Sequence, residues 1–187
     1  MIKNKIDLKE YLIQDKIQLG ITRNSPRPFT DEIWKYEITL RKYEYWLNTS
    51  KNVFGKIMKQ FYKLRWHALG VKLGISISPN VCGKGLSIAH INCININQNA
   101  MIGENCRIHE GVTIGASGGS VAPKIGNNVF LASGCKVMGD VCIADKCVIG
   151  ANAVVVKSIE RIGVTVGGVP AKIISENNSD RFIYWYK

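Results

Sequence analysis

The sequence predicts a mainly β fold, a parallel β-helix of hexapeptide repeats preceded by an α-helical N-terminal segment. Three observations carry that prediction. Between residues 96 and 172 an aliphatic residue returns every sixth position, in the series Ile96, Ile102, Ile108, Ile114, then Ile125, Leu131, Val137, Ile143, Ile149 and Val155. Four residues after most of these stands a small or medium one: Ala100, Cys106, Val112, Val129, Cys135, Val141, Cys147 and Ala153. A period of six fits neither the 3.6 of a helix nor simple strand alternation, and it marks short strands wound into triangular coils of about 18 residues. The helical 3-and-4 spacing, by contrast, is confined to the stretch before Ile75.

From the N-terminus, Asp7-Leu-Lys-Glu10 reads as a capping box opening a helix over about 8–19, which Gly20 ends. Ser25-Pro-Arg-Pro-Phe29 is a linker. Thr30, Asp31 and Glu32 open a second helix over about 31–48, with the apolar stripe Ile33, Tyr36, Leu40, Tyr43, Leu47. A third, about 52–70, carries Phe54, Ile57, Phe61, Leu64, Ala68 and Val71 at the same spacing. The two stripes are expected to face each other as a hairpin packed on the first coil or on a neighbouring subunit, with Tyr and Trp in its seam. Residues 1–74 are thus a helical extension.

Residues 75–174 form the β-helix domain, beginning with an irregular coil through Ser78-Pro-Asn-Val81 and Gly83-Lys-Gly85-Leu86. Large aliphatics point inward, and Gly103, Gly115, Gly126 and Gly150 follow them where the backbone turns. One break interrupts the register: Ile114 to Ile125 is eleven residues instead of six, so 116–124 bulges out as a loop. Residues 175–187 are a C-terminal tail ending Arg181-Phe-Ile-Tyr-Trp-Tyr-Lys187, an aromatic segment suited to capping the prism.

A chain of 187 residues is long enough for a sizeable core. It contains no apolar run approaching the ~20 residues that span a bilayer, and its first residues lack a signal-peptide core, so a cytoplasmic location is expected. Three of the six cysteines fall in the inward small slot and no Cys-x-x-Cys occurs, which reads as reduced packing residues. Of the net +11, residues 1–74 hold 15 Lys+Arg against 7 Asp+Glu, or +8, leaving +3 for the rest. Anionic headgroups, phosphorylated substrates and nucleic acid all suit that charge, as does a merely solvated face.

Chemistry must come from few residues. Of three histidines, His67 lies in the third helix and reads as structural. His90 stands where counting back six from Ile96 expects an aliphatic residue, and strict register would turn it inward. His109 follows Ile108, so the two histidines fall on neighbouring coils of one edge. An imidazole with a pKa near 6.5 suits removal of a hydroxyl proton at neutral pH.

Gly85-Leu-Ser-Ile-Ala-His90, the hexapeptides, the loop before Pro123-Lys-Ile-Gly126, and Gly168-Val-Pro-Ala-Lys172 together resemble the serine O-acetyltransferase branch of the hexapeptide-repeat acyltransferases. Asp31-Glu-Ile-Trp34 and Leu40-Arg-Lys-Tyr-Glu-Tyr45 are similar to small members associated with capsular or exopolysaccharide synthesis. The resemblance implies a left-handed parallel β-helix, a homotrimer, and acetyl-CoA as acyl donor in a groove between prisms. It implies His90 as catalytic base, His109 and Asn92 as acceptor-side candidates, and no metal. Ala132, Ser133 and Ala151 would line the groove, the loop would cover the pantetheine arm, and Lys157 and Lys172 would lie near the nucleotide phosphates.

Serine acetyltransferases typically show Asp-His at the base and a second histidine before Pro-Lys-Ile-Gly, both serving the amino-acid acceptor. Here Ala89 and Ala122 stand at those positions. Loss of those polar partners shifts the expected acceptor from free serine to a sugar or glycan hydroxyl. Contact with an anionic membrane surface is an expectation from the basic extension, and nucleic acid is not expected. The alternatives are serine acetylation itself, a metal-dependent hydratase of the γ-carbonic-anhydrase type, and a non-catalytic basic scaffold.

Overall fold

The computed structural model describes residues 1–183; Tyr184, Trp185, Tyr186 and Lys187 lie outside it. Three helices precede a parallel β-solenoid: α1 (Lys5–Gln18), α2 (Glu32–Thr49) and α3 (Val53–Leu73). Three parallel sheets form the faces, with strands numbered in chain order. The first holds β1 (Ile75–Ile77), β3 (Ile94–Ile96), β6 (Thr113–Gly115), β9 (Lys136–Met138) and β12 (Val154–Val155), one per coil and so five coils. The second holds β4 (Met101–Ile102), β7 (Lys124–Ile125) and β10 (Cys142–Ile143). The third holds β2 (Ser87–Ile88), β5 (Arg107–Ile108), β8 (Phe130–Leu131), β11 (Val148–Ile149) and β13 (Thr165–Gly167). On β13 lies β14 (Lys172–Ser175), antiparallel, which ends the ladder.

The six-residue series is the core. Every member from Ile96 to Val155 is buried, and with Cys106, Cys135 and Cys147 they fill one continuous cluster. All six cysteines are free thiols. The insertion is visible in the register: Thr113 pairs Lys136, 23 residues on, whereas Lys136 pairs Val154, 18 on, and the difference is five.

A first coil has no coil before it to satisfy its backbone. Helix side chains do so here. Arg41, fully buried, donates from Nε to Asp15 Oδ2 at 2.7 Å, from Nη1 to Glu44 Oε2 and the Cys82 carbonyl at 3.0 Å each, and from Nη2 to the Gly83 carbonyl at 2.6 Å. Asp15 accepts from the Gly85 and Leu86 amides, Glu44 from Asn80, and Glu37 from Ile88. Burial raises the Asp15, Glu44 and Glu37 carboxyl pKa values, and Asp15 repels the charge on Glu37 as well.

The helices depart from expectation at their ends and on one face. Asn4, not Asp7, is the N-cap of α1, accepting from the Ile6 and Asp7 amides, while Asp7 reaches back to the Lys3 amide. Asp31 precedes α2 in the left-handed region without capping it, its carboxylate taken by the Arg27 amide and Arg23. Tyr36, Leu40 and Tyr43 of α2 are buried, and the seam contains Tyr43 against Trp66, ring centroids 5.4 Å apart. The stripe on α3 does not face that seam. Phe54, Ile57, Phe61, Leu64 and Val71 are exposed, while Gly55, Gly70 and Leu73 are buried.

The tail folds back. Ser179 is buried, its amide donating to the Lys146 carbonyl and its hydroxyl to that of Asn128. A final turn, α4 (Asp180–Ile183), stacks Phe182 on Phe130 with centroids 4.4 Å apart, so the described tail lies along the third sheet instead of plugging the end.

Candidate active site

The corner between the third and first sheets gathers most of the candidate residues. In register, Ile88 pairs Ile108, Ile108 pairs Leu131, and Leu131 pairs Ile149. The next residues along, Ala89, His109, Ala132 and Gly150, therefore stack on one edge, and beyond them His90, Glu110, Ser133 and Ala151.

His90 is exposed, which corrects the inward orientation that strict register gives it. The inward slot belongs to Ile88, 1% exposed, eight residues before Ile96 where a regular repeat has six. The two additional residues sit at this corner, with Asn92 and Cys93 at φ 85° and 55° taking the left-handed turn that absorbs them. Asn92 is thus first a turn residue: its amide donates to Leu73 and its carbonyl accepts from Gly111.

The His90 and His109 rings meet edge to face, centroids 5.3 Å apart and planes at 84°. Beneath His109, Phe130 packs edge-on at 4.9 Å. His109 Nδ1 lies 3.4 Å from Ser133 Oγ and 4.0 Å from Glu110 Oε2. Partial burial lowers the His109 pKa, and Arg107 and His90 add to the effect, so its imidazole is neutral at pH 7. Hydrogen bonding from Ser133 holds the Glu110 carboxyl below its usual range. The edge therefore presents a neutral imidazole, a firm carboxylate and an accessible second imidazole. One nitrogen from each histidine and a Glu110 oxygen lie within 4.8 Å of one another, a donor set of the kind that holds divalent cations.

Beside this edge is a cleft of about 620 Å³ between prism and helices. Ala89, Ile91 and Arg107 line it from the prism, and Trp34, Glu32 and Lys72 from the helices. Arg107 donates to Ser87 Oγ at 3.1 Å, and burial brings its pKa down to about 10.

The remaining candidates lie elsewhere. Lys157, exposed, follows β12 at the corner between the first and second sheets, the corner from which loop 116–124 also projects. Lys172 is exposed on β14, opposite Gly167. His67 is exposed on α3. Ala122 is buried in the core and brings no polar group to the site. Glu110 and Arg107 were missed by sequence reasoning; continuing the pairing of Ile88 with Ile108 by two residues sets Glu110 beside His90.

Comparison with known proteins bears on the fold and on the resemblance to transferases. The family described as bacterial transferase hexapeptide (six repeats) matches residues 122–157. A serine acetyltransferase of Staphylococcus aureus is 40% identical over 108 residues, 56% of this chain and 50% of the relative. The chain thus spans about half the length of the curated relatives it matches. The crystal structure of serine acetyltransferase from Brucella abortus superposes with a TM-score of 0.72 at 25% identity, covering 94% of this chain and 72% of that one. A serine acetyltransferase solved in complex with CoA gives a TM-score of 0.71 at 22% identity, covering 91% and 71%, and supports the fold alone. The resemblance to hexapeptide-repeat transferases of the serine acetyltransferase type is therefore found independently in sequence and in fold.

Proposed function

We propose that this protein is an acetyl-CoA-dependent O-acetyltransferase that acts on a sugar or glycan hydroxyl, with His90 as general base. The observation that carries the reading is the corner column, where exposed His90 stands against neutral His109 and the Glu110 carboxylate, beside a cleft large enough for a sugar. His90 takes the acceptor's hydroxyl proton as the oxygen attacks the thioester carbonyl. The tetrahedral intermediate collapses, the C–S bond breaks, and coenzyme A leaves as a thiolate that the imidazolium reprotonates. Glu110 stabilises the imidazolium formed midway. Neutral His109 adds no positive charge to oppose it. Ala132, Ser133 and Ala151, on the same edge, would line the donor groove between subunits of a homotrimer, with Lys157 and Lys172 toward the nucleotide phosphates.

Serine as acceptor is the second reading, favoured by the name of the curated relatives. Against it stand Ala89 and buried Ala122, which offer no side-chain hydrogen bond at the two positions where serine acetyltransferases typically carry polar residues for the amino-acid acceptor. The test is release of free thiol from acetyl-CoA with L-serine and with a panel of sugars, nucleotide sugars and lipid-linked glycans. Turnover on a glycan hydroxyl at least about tenfold above that on serine is expected. Efficient turnover on serine alone would overturn the glycan assignment.

A further inference from the structure

We propose that the outer face of α3 seats the protein on an anionic lipid surface. Phe54, Ile57, Phe61, Leu64 and Val71 recur at helical spacing, so they share one face, and each is between 49 and 70% exposed. A helix already docked through Trp66 on Tyr36 and Tyr43, and through Leu69 and Leu73 on the core, has no folding use for such a stripe. Its flanks are cationic: at ~100° per residue, Lys56 and Lys63 border one side and Arg65 and Lys72 the other. Among the described residues, only Lys72 of these four has an ion-pair partner on an adjacent helix, Glu32 at 3.9 Å. From Tyr45 to Gly103 the chain contains no Asp or Glu.

A second feature continues the stripe. Between α1, α2 and α3 opens a groove of about 710 Å³, bordered by Lys5, Lys9, Lys16 and Lys42 and, among the described residues, by no acidic one. Its Trp46 packs edge-on against Phe54 with centroids 5.9 Å apart, so groove and stripe are contiguous. An apolar face edged by basic side chains, with Trp and Tyr at its margin, is the composition that settles at the level of lipid headgroups. A second copy of the chain is disfavoured as occupant, because self-pairing would bring these cations together without counter-charges. The same helix carries Lys72 in its last turn, lining the cleft beside His90, so a lipid-linked acceptor would meet the site from the bilayer side. Only this last step rests on the acetyl-transfer reading; docking itself does not.

The test is flotation of the full chain with vesicles of phosphatidylcholine alone or mixed with phosphatidylglycerol. Binding to the mixed vesicles is expected, falling at least tenfold on neutral ones and at about 0.5 M salt. Lys56→Gln with Lys63→Gln should lower it about thirtyfold, from ~1 kcal/mol per charge. Ile57→Ser with Phe61→Ser should abolish it while preserving melting temperature and thiol-release rate on a soluble acceptor. Docking would be overturned by no flotation, by indifference to headgroup charge, or by a vesicle-free assembly of copies that the Ile57→Ser, Phe61→Ser variant splits. Flotation without acetyl transfer would refute the enzymatic reading and leave the docking surface standing.

Discussion

At the corner edge, the Glu110 carboxylate lies beside two imidazoles, of which that of His109 has its pKa lowered by burial and by the nearby Arg107 guanidinium. Removing the negative charge takes away the counter-charge for the imidazolium formed during transfer, so Glu110→Gln is expected to lower the acetyl-transfer plateau about tenfold. An unchanged plateau in Glu110→Gln would contradict this role. His90 itself was legible as an exception to the repeat. Its orientation was not, because a period counts residues and cannot see that two extra ones at the Asn92–Cys93 turn return the inward slot to Ile88.

Among the elements, the junction of helices and prism depends on charged groups that burial would otherwise penalise. Glu37 shows the cost most clearly. Its carboxyl is fully buried beside Asp15, with a pKa well above the ordinary 4.5, so the folded state binds its proton more tightly than the unfolded chain does. That contribution favours folding at low pH and fades as pH rises from about 4.5 through the raised value. Glu37→Gln retains an acceptor for the Ile88 amide, and should flatten the loss of stability as pH rises above 4.5, as read from urea midpoints. An unchanged pH profile would contradict this assignment. The signal for the network was present in the sequence: Glu37, Arg41 and Glu44 recur at helical spacing on one face of α2. Apolar periodicity instead draws attention to α3, where an amphipathic stripe declares that a partner exists without saying whether it is a core, and the helix packs inward through Trp66, Leu69 and Leu73 on another face.

For the whole molecule, the hexapeptide period made the prism readable almost completely, since each coil repeats the same packing solution and the core is a single column of aliphatics. The placement of the tail was not readable, because Phe182 finds Phe130 across 52 residues of chain, 182 less 130, with no local pattern to announce it. Assembly belongs to this scale too. A donor groove between prisms requires subunits to pair, so sedimentation should give about three times the chain mass of 20.8 kDa; a stable monomer with full activity would contradict the intersubunit groove.

The most direct test of the central claim is the rate of thiol release from acetyl-CoA by wild type and His90→Ala on one glycan acceptor, with CoA affinity measured in parallel. The account predicts that the substitution lowers kcat/KM by about two to four orders of magnitude and leaves CoA binding unchanged. Full acetyl transfer by His90→Ala would contradict it.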